Sequence, residues 1–200
     1  MALNLKKLAN YIMTTFCLIL IVVNTSLGQD VGKLTSFKGY DGVRISKTDH
    51  IEGPRLTTRQ IPTSKGLVRV SRMSGTRIIY VSNENVPFVN IKVETSSEND
   101  YSSNQKKLLE YFNHIASESD KIENKKVAKI SMNGYTLYGF TNSDINNVNI
   151  ISSFIFFPKK NLTVFVDFNS INAPKNYKNL SEFKKLRDLF LENYTLFISK

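Results

Sequence analysis

Few of the 200 side chains are of the kind that make or break bonds: there are two histidines, His50 and His114, and one cysteine, Cys17. Nucleophilic hydrolysis needs a hydroxyl or thiol, a base within hydrogen-bond reach and a third group that orients the base. No G-x-S-x-G motif occurs. His50 falls in an irregular basic stretch and His114 falls beside the apolar stripe of a helix, so neither has a nucleophile at a readable spacing. Carboxylates are the remaining acid–base candidates. Glu94, Glu98 and Asp100 gather ahead of a helix, and Asp167 lies in a late strand. Two of them in one cleft could serve as a hydrolytic acid–base pair or hold Ca²⁺. Acidic residues at that position also complement the positive end of a helix, which is the reading preferred here.

Metal and phosphate motifs fare no better. The loop at residues 144–149 (Asp-Ile-Asn-Asn-Val-Asn) has oxygen-bearing side chains, but an EF-hand needs Gly at its sixth position and Glu at its twelfth. Those positions hold Asn149 and Ile155. The nine glycines are scattered singly, so no glycine-rich loop is available to cradle phosphates. There is no aromatic-plus-basic nucleic-acid motif. The sequence therefore leads to the expectation of no catalytic residue, no metal, no cofactor and no nucleic-acid partner.

Charge stands above background. The formal net charge of +10 is uneven: residues 30–80 carry +6, residues 81–125 carry −3 and residues 126–200 carry +5. Arg69, Arg72 and Arg77, with Arg55, Arg59 and Lys65 just before them, are candidates for an anion-binding surface. In a regular strand Arg69 and Arg72 point to opposite faces, which divides that patch.

These residues need elements to position them. Lys6 and Lys7 precede an apolar run at 12–23, followed by small and polar residues with Ser26 and Gly28 at the −3 and −1 positions of a cleavage site. This reads as a secretory signal over residues 1–28, and a run of about 12 is short of the ~20 needed to span a bilayer. Cleavage would leave a mature chain without cysteine, stabilised by packing alone. Residues 29–65 read as an irregular basic lead-in with one or two short strands, the clearest at 42–46. Residues 67–73 and 77–81 read as a hairpin across Ser74-Gly75, and residues 86–94 alternate with Val89, Ile91 and Val93 inward and Phe88, Asn90, Lys92 and Glu94 outward. Ser102 and Gln105 suggest a capping box for a helix with the stripe Leu108, Leu109, Phe112, Ile115 and Ala116. Asn133-Gly134 joins two strands as a type I′ turn, since both central residues need positive φ. Two very apolar strands follow, at 150–157 and 162–168, and read as central. Asn179 and Glu182 open a closing helix with Phe183, Leu186, Phe190, Tyr194 and Phe197 on one stripe and Lys184, Lys185, Arg187 and Asp188 opposite.

The resulting expectation is an α+β domain over residues 66–200: a single antiparallel sheet of about six to seven strands with two packed helices, in the order β-β-β-α-β-β-β-β-α. That order, with the run Asn-Gly-Tyr-Thr-Leu-Tyr-Gly-Phe at 133–140 and a long terminal helix, resembles the PsbP/Mog-like superfamily, which includes periplasmic DcrB-type proteins. The richness in Asn, Lys and Ile is similar to that of exported proteins of AT-rich bacteria. The resemblance implies a non-enzymatic module that binds a protein partner or assists assembly in an envelope, periplasmic or extracellular. An anionic membrane surface is the alternative partner; oligomeric state is left open.

Overall fold

A computed structural model describes residues 30–51, 57–72, 74–82, 87–143, 150–169 and 179–200. The expected signal segment at 1–28, Arg55 and the stretch at 144–149 lie outside the described residues. The chain divides at Phe37 into two compact units. In the described part of the first, residues 30–35 are helical, and Thr35 Oγ1 donates to the Val31 carbonyl at 2.8 Å.

The described residues of the second unit, 37–200, form ten strands and two long helices. The strands are β1 (Gly39–Tyr40), β2 (Val43–Ile51), β3 (Thr57–Thr63), β4 (Gly66–Arg72), β5 (Ser74–Ser82), β6 (Pro87–Thr95), β7 (Ala128–Met132), β8 (Tyr135–Ser143), β9 (Ile150–Phe156) and β10 (Leu162–Asn169). Helix α1 spans Glu98–Glu118 and α2 spans Leu180–Ser199. Eight strands form one antiparallel sheet in the order β1-β2-β5-β6-β10-β9-β8-β7, and β3 and β4 form a separate two-stranded hairpin. The class is α+β, as expected, but the main sheet is larger than six or seven strands and a second sheet accompanies it. Among the described residues no helix is long and apolar enough to cross a membrane.

Two sequence expectations fail on strand pairing. Residues 29–65 were expected to be mainly irregular, yet β1, β2 and β3 all lie there. Nor do β4 and β5 form a hairpin: β5 pairs with β2 on one side and β6 on the other, so β4 has no free edge of β5 to join. Instead β4 folds back on β3 through Ser64-Lys65, where Thr63 Oγ1 accepts from Lys65 N at 3.2 Å and donates to the Gly66 carbonyl at 2.9 Å. The Asn133-Gly134 turn forms as read, with φ of 48° and 87° closing Met132 on Tyr135.

The main sheet is the middle of three layers. On one face α2 packs Phe190 and Tyr194 against Phe37, Tyr80, Phe156 and Phe168. On the other, α1 and the β3–β4 hairpin build a core from Ile61, Val70, Leu108, Phe112, Ile155 and Phe165. The alternation along β9 serves both layers: Phe154 and Phe156 turn toward α2, while Ile155 turns toward α1. That is why β9 and β10 carry apolar residues on both faces and lie in the interior of the sheet order. Phe88 is not outward. It is 4% exposed and meets Phe168 at 5.7 Å, because the ladder slips at Tyr80/Val81 opposite β6 and turns the ring inward.

Helix boundaries follow their caps. Helix α1 starts a turn earlier than Ser102 suggests. Ser97 is its N-cap, with Oγ accepting from Asp100 N at 3.2 Å. Helix α2 starts as expected, with Asn179 Oδ1 accepting from Glu182 N at 2.9 Å.

Candidate anion-binding cavity

The C-terminal half of α2 is packed on the sheet, with Tyr135 Oη of β8 donating to the Ile198 carbonyl at 3.2 Å, whereas its N-terminal half stands off from β7 and β8. A cavity of about 770 Å³ opens there. Its floor is the α2 face of the sheet, with Ala128 and Ile130 from β7, Gly139 and Thr141 from β8, and Phe154 from β9. Gly139 lets the floor exist: a Cβ at that position would lie 2.3 Å from Phe154 Cδ1 and 2.5 Å from the Ser153 carbonyl oxygen. Leu180, Lys184 and Arg187 of α2 line one wall. The opposite wall is the α1–β7 connection, with Asp120, Lys121, Ile122, Asn124 and Lys126. This connection is pinned where Ile122, 4% exposed, bridges Asn142 at the end of β8, and it turns sharply through Asn124 and Lys125, both at positive φ.

The deepest cation is Arg187, 8% exposed. Its Nη1 donates to Thr141 Oγ1 at 2.7 Å, and its Nε and Nη2 reach Asp188 Oδ1, each at 2.7 Å. The guanidinium also lies over the Phe154 ring at 5.4 Å. These bonds occupy three of the five guanidinium donors and lock the plane of the group. Lys184 stands one turn before Arg187 on α2, and Lys121 and Lys126 face them from the connection. Four cationic side chains thus line the cavity with one carboxylate, Asp120, while Asp188 pairs with Arg187 from beside it. Asp120 is itself bonded to Lys125, which holds its carboxyl below the usual range. The arrangement suits an anion: fixed donors, excess positive charge and an aromatic floor that excludes water from one side.

Arg187 was expected on the solvent side of α2, and that reading is corrected by its burial. The signal was in the spacing. Arg187 is four residues after Phe183, three before Phe190 and seven before Tyr194, which places it on the buried stripe. Phe197, expected on that stripe, is 36% exposed, while Leu191 and Ile198 are buried in its stead.

The three arginines read from the sequence occupy different surroundings. Arg69 is exposed on β4, on the side of that strand opposite Val70. Arg72 faces the main sheet and lies 3.5 Å from Glu94 Oε1. Arg77, on β5, bonds Asp49 Oδ2 at 2.9 Å. Arg72 and Arg77 therefore come near the same sheet face, each already holding a carboxylate, and Arg69 stands apart.

Glu94 collects cations from three strands. Its Oε1 lies 3.2 Å from Lys92 Nζ, 3.3 Å from Arg59 Nη1 and 3.5 Å from Arg72 Nη1. Lys92 Nζ also lies 4.3 Å from the Phe165 ring centre, and burial pulls its pKa down from the usual lysine range. Asp167 shares this face, and its pKa is pushed up by burial against a hydrogen bond from Ser153 and the charge of Lys92. Glu94 and Asp167 do not make a carboxylate pair. Glu94 is opposite Thr163 and Asp167 opposite Asn90, four register steps apart, or about 13 Å at ~3.3 Å per residue. Asp100 is engaged at the α1 cap, bonded to Ser97 Oγ at 2.6 Å. His50 Nδ1 contacts Thr76 Oγ1 at 3.3 Å, and His114 Nδ1 lies 3.8 Å from Glu118 on its own helix.

Comparison with known protein families, curated proteins and solved structures gives no significant match to the chain.

Proposed function

We propose that the chain is an exported, non-enzymatic binding module of the cell envelope, and that what it binds is an anionic group held in the cavity between α2 and the α1–β7 connection. The observation that carries this reading is Arg187. A buried guanidinium, fixed by Thr141 and Asp188 over Phe154, sits in a cavity whose other charged walls are mainly lysine. Burying a cation is costly unless it is well bonded, and its placement in the wall of an open cavity gives an anion a preorganised partner.

A binding role fits the separation of the acid–base candidates better than a hydrolytic one, because Glu94 and Asp167 are too far apart to act on one bond. An anion at Arg69, Arg72 and Arg77 would have to compete with Glu94 for Arg72 and with Asp49 for Arg77. In the cavity Arg187 likewise holds a carboxylate, Asp188, but three lysines stand around it on the same walls. Export rests on the reading of residues 1–28, and the module character is in keeping with the resemblance in element order to PsbP/Mog-like proteins.

The test is calorimetric titration of the full chain with inorganic phosphate and butyl phosphate at several salt concentrations. The expected result is saturable binding that weakens with salt and is reduced about tenfold or more in Lys184→Gln and Arg187→Met, while Arg69→Gln binds as the parent does. Equal binding by the parent and both cavity variants would reject the cavity as the site.

A further inference from the structure

We infer that the cavity receives the free C-terminal carboxylate of an acidic partner peptide, which adds to the sheet as a ninth strand alongside β7. This rests on the anion reading of the cavity and names the ligand class. Strand β7 ends the sheet order, and among the described residues nothing pairs with its outer side. The two-residue turn at Asn133-Gly134 sets which backbone groups are open. Met132 and Tyr135 close the turn as a hydrogen-bonded pair, so Met132, Ile130 and Ala128 direct N–H and C=O to β8. Lys129 and Ser131 then direct theirs outward, and both residues are exposed.

The polarity of addition ties this edge to the cavity. Antiparallel to β7, an added strand runs from the Met132 end toward the Ala128 end. Its C-terminus arrives where Lys126, Val127 and Ala128 line the cavity, with Lys121, Lys184 and Arg187 beyond. A terminal carboxylate there meets the cationic walls, and the last side chain meets Ile130, Leu180 and Phe154. Charge selects the partner's composition. The edge is flanked by Lys125, Lys126 and Lys129. Lysine on a free edge discourages pairing with a second copy of itself, and the same charge favours an acidic strand.

The experiment measures fluorescence anisotropy of the full chain with a labelled six-residue peptide of alternating Glu and Val. It is made as the free acid, as the C-terminal amide, and with alternate backbone amides N-methylated in each of the two registers. The free acid is expected to bind at least tenfold more tightly than the amide. One N-methylated register should lose binding and the other keep it, because only alternate amides face β7. Ser131→Pro removes an outward N–H and none from the β7–β8 ladder, so it should weaken the peptide and leave phosphate titration unchanged. Should that variant fail to fold, the N-methylated peptides report on the same edge with the parent chain. Equal binding of acid and amide, or indifference to N-methylation in both registers, overturns the inference. Phosphate binding without preference for the acid peptide rejects the strand while keeping the anion cavity. Binding of neither rejects both.

Discussion

Arg59 on β3 lies 3.3 Å from the carboxylate of Glu94 on β6, and this contact ties the small hairpin to the large sheet. Arg72 from β4 reaches the same oxygen, so each strand of the hairpin contributes one cation. Glu94 is 5% exposed, and a carboxylate at that depth is stable only because charged donors surround it. The hairpin also covers Phe165 and contributes Ile61 and Val70 to the core shared with α1. The clasp is thus polar at one end of the hairpin's inner face and apolar along the rest.

Glu94→Gln leaves three cations with a neutral acceptor. The expected loss is about 3 kcal/mol, at the low end for breaking a buried ion pair because the cations are partly solvated. Urea denaturation gives the total, and amide exchange locates it: residues 57–72 should lose protection before β5 and β6 do.

Asp167→Asn should show a pH-dependent gain. Burial raises the Asp167 pKa, so the folded protein binds this proton more tightly than the unfolded chain does. The stability contributed by protonation is complete below the unfolded value and is lost as pH rises through the folded one. At neutral pH the parent carries the cost of a buried carboxylate and the Asn variant does not. The melting temperature of the variant is expected at or above the parent's at pH 7, with the difference vanishing as pH falls through the ordinary carboxylate range.

The helix caps separate by substitution. Ser97→Ala and Asn179→Ala should each cost about 1 kcal/mol, since each removes the acceptor for an N-terminal amide of its helix. Ser102→Ala, in the exposed first turns of α1, should stay within about 0.5 kcal/mol of the parent. Thermal denaturation of the three variants checks the order.

Gly139→Ala should cost about 2 kcal/mol, because the new methyl meets both the Phe154 ring and the Ser153 carbonyl oxygen. As Phe154 underlies Arg187, phosphate titration of this variant should also weaken, whereas Glu94→Gln should leave it unchanged.

Elements governed by local rules were readable. The Asn133-Gly134 turn needs two positive-φ residues in succession, and the sequence has them at that point. The apolar residues on both faces of β9 and β10 point to a position covered on both sides. Pairing was less legible, because a strand pattern does not name its neighbour: β4 and β5 are adjacent in sequence but belong to different sheets. The face containing Lys92 and Glu94 reads as solvent-facing by alternation, and no local feature reveals that β3 and β4 fold over it. The sequence does not single out Ser97, because Ser102 presents a similar cap spacing nearer the apolar stripe. The charge of Arg187 suggests the solvent side, but its spacing from Phe183, Phe190 and Tyr194 places it inside. The cavity could not be read at all, since its walls come from segments more than fifty residues apart.

The order of strands across the main sheet follows a division of the polypeptide. Strands β1, β2, β5 and β6 come from residues 39–95, and β7 to β10 come from residues 128–169. Within the described ladders, only β6 and β10 pair across that division, over seven register positions from Leu162 opposite Thr95 to Phe168 opposite Val89. Every other pairing closes within its own half. The molecule is therefore built like two meanders zipped along one seam, and a break in the α1–β7 connection would cut no ladder. Fragments divided there are candidates for complementation, with assembly of the seam as the signal that the two halves have met.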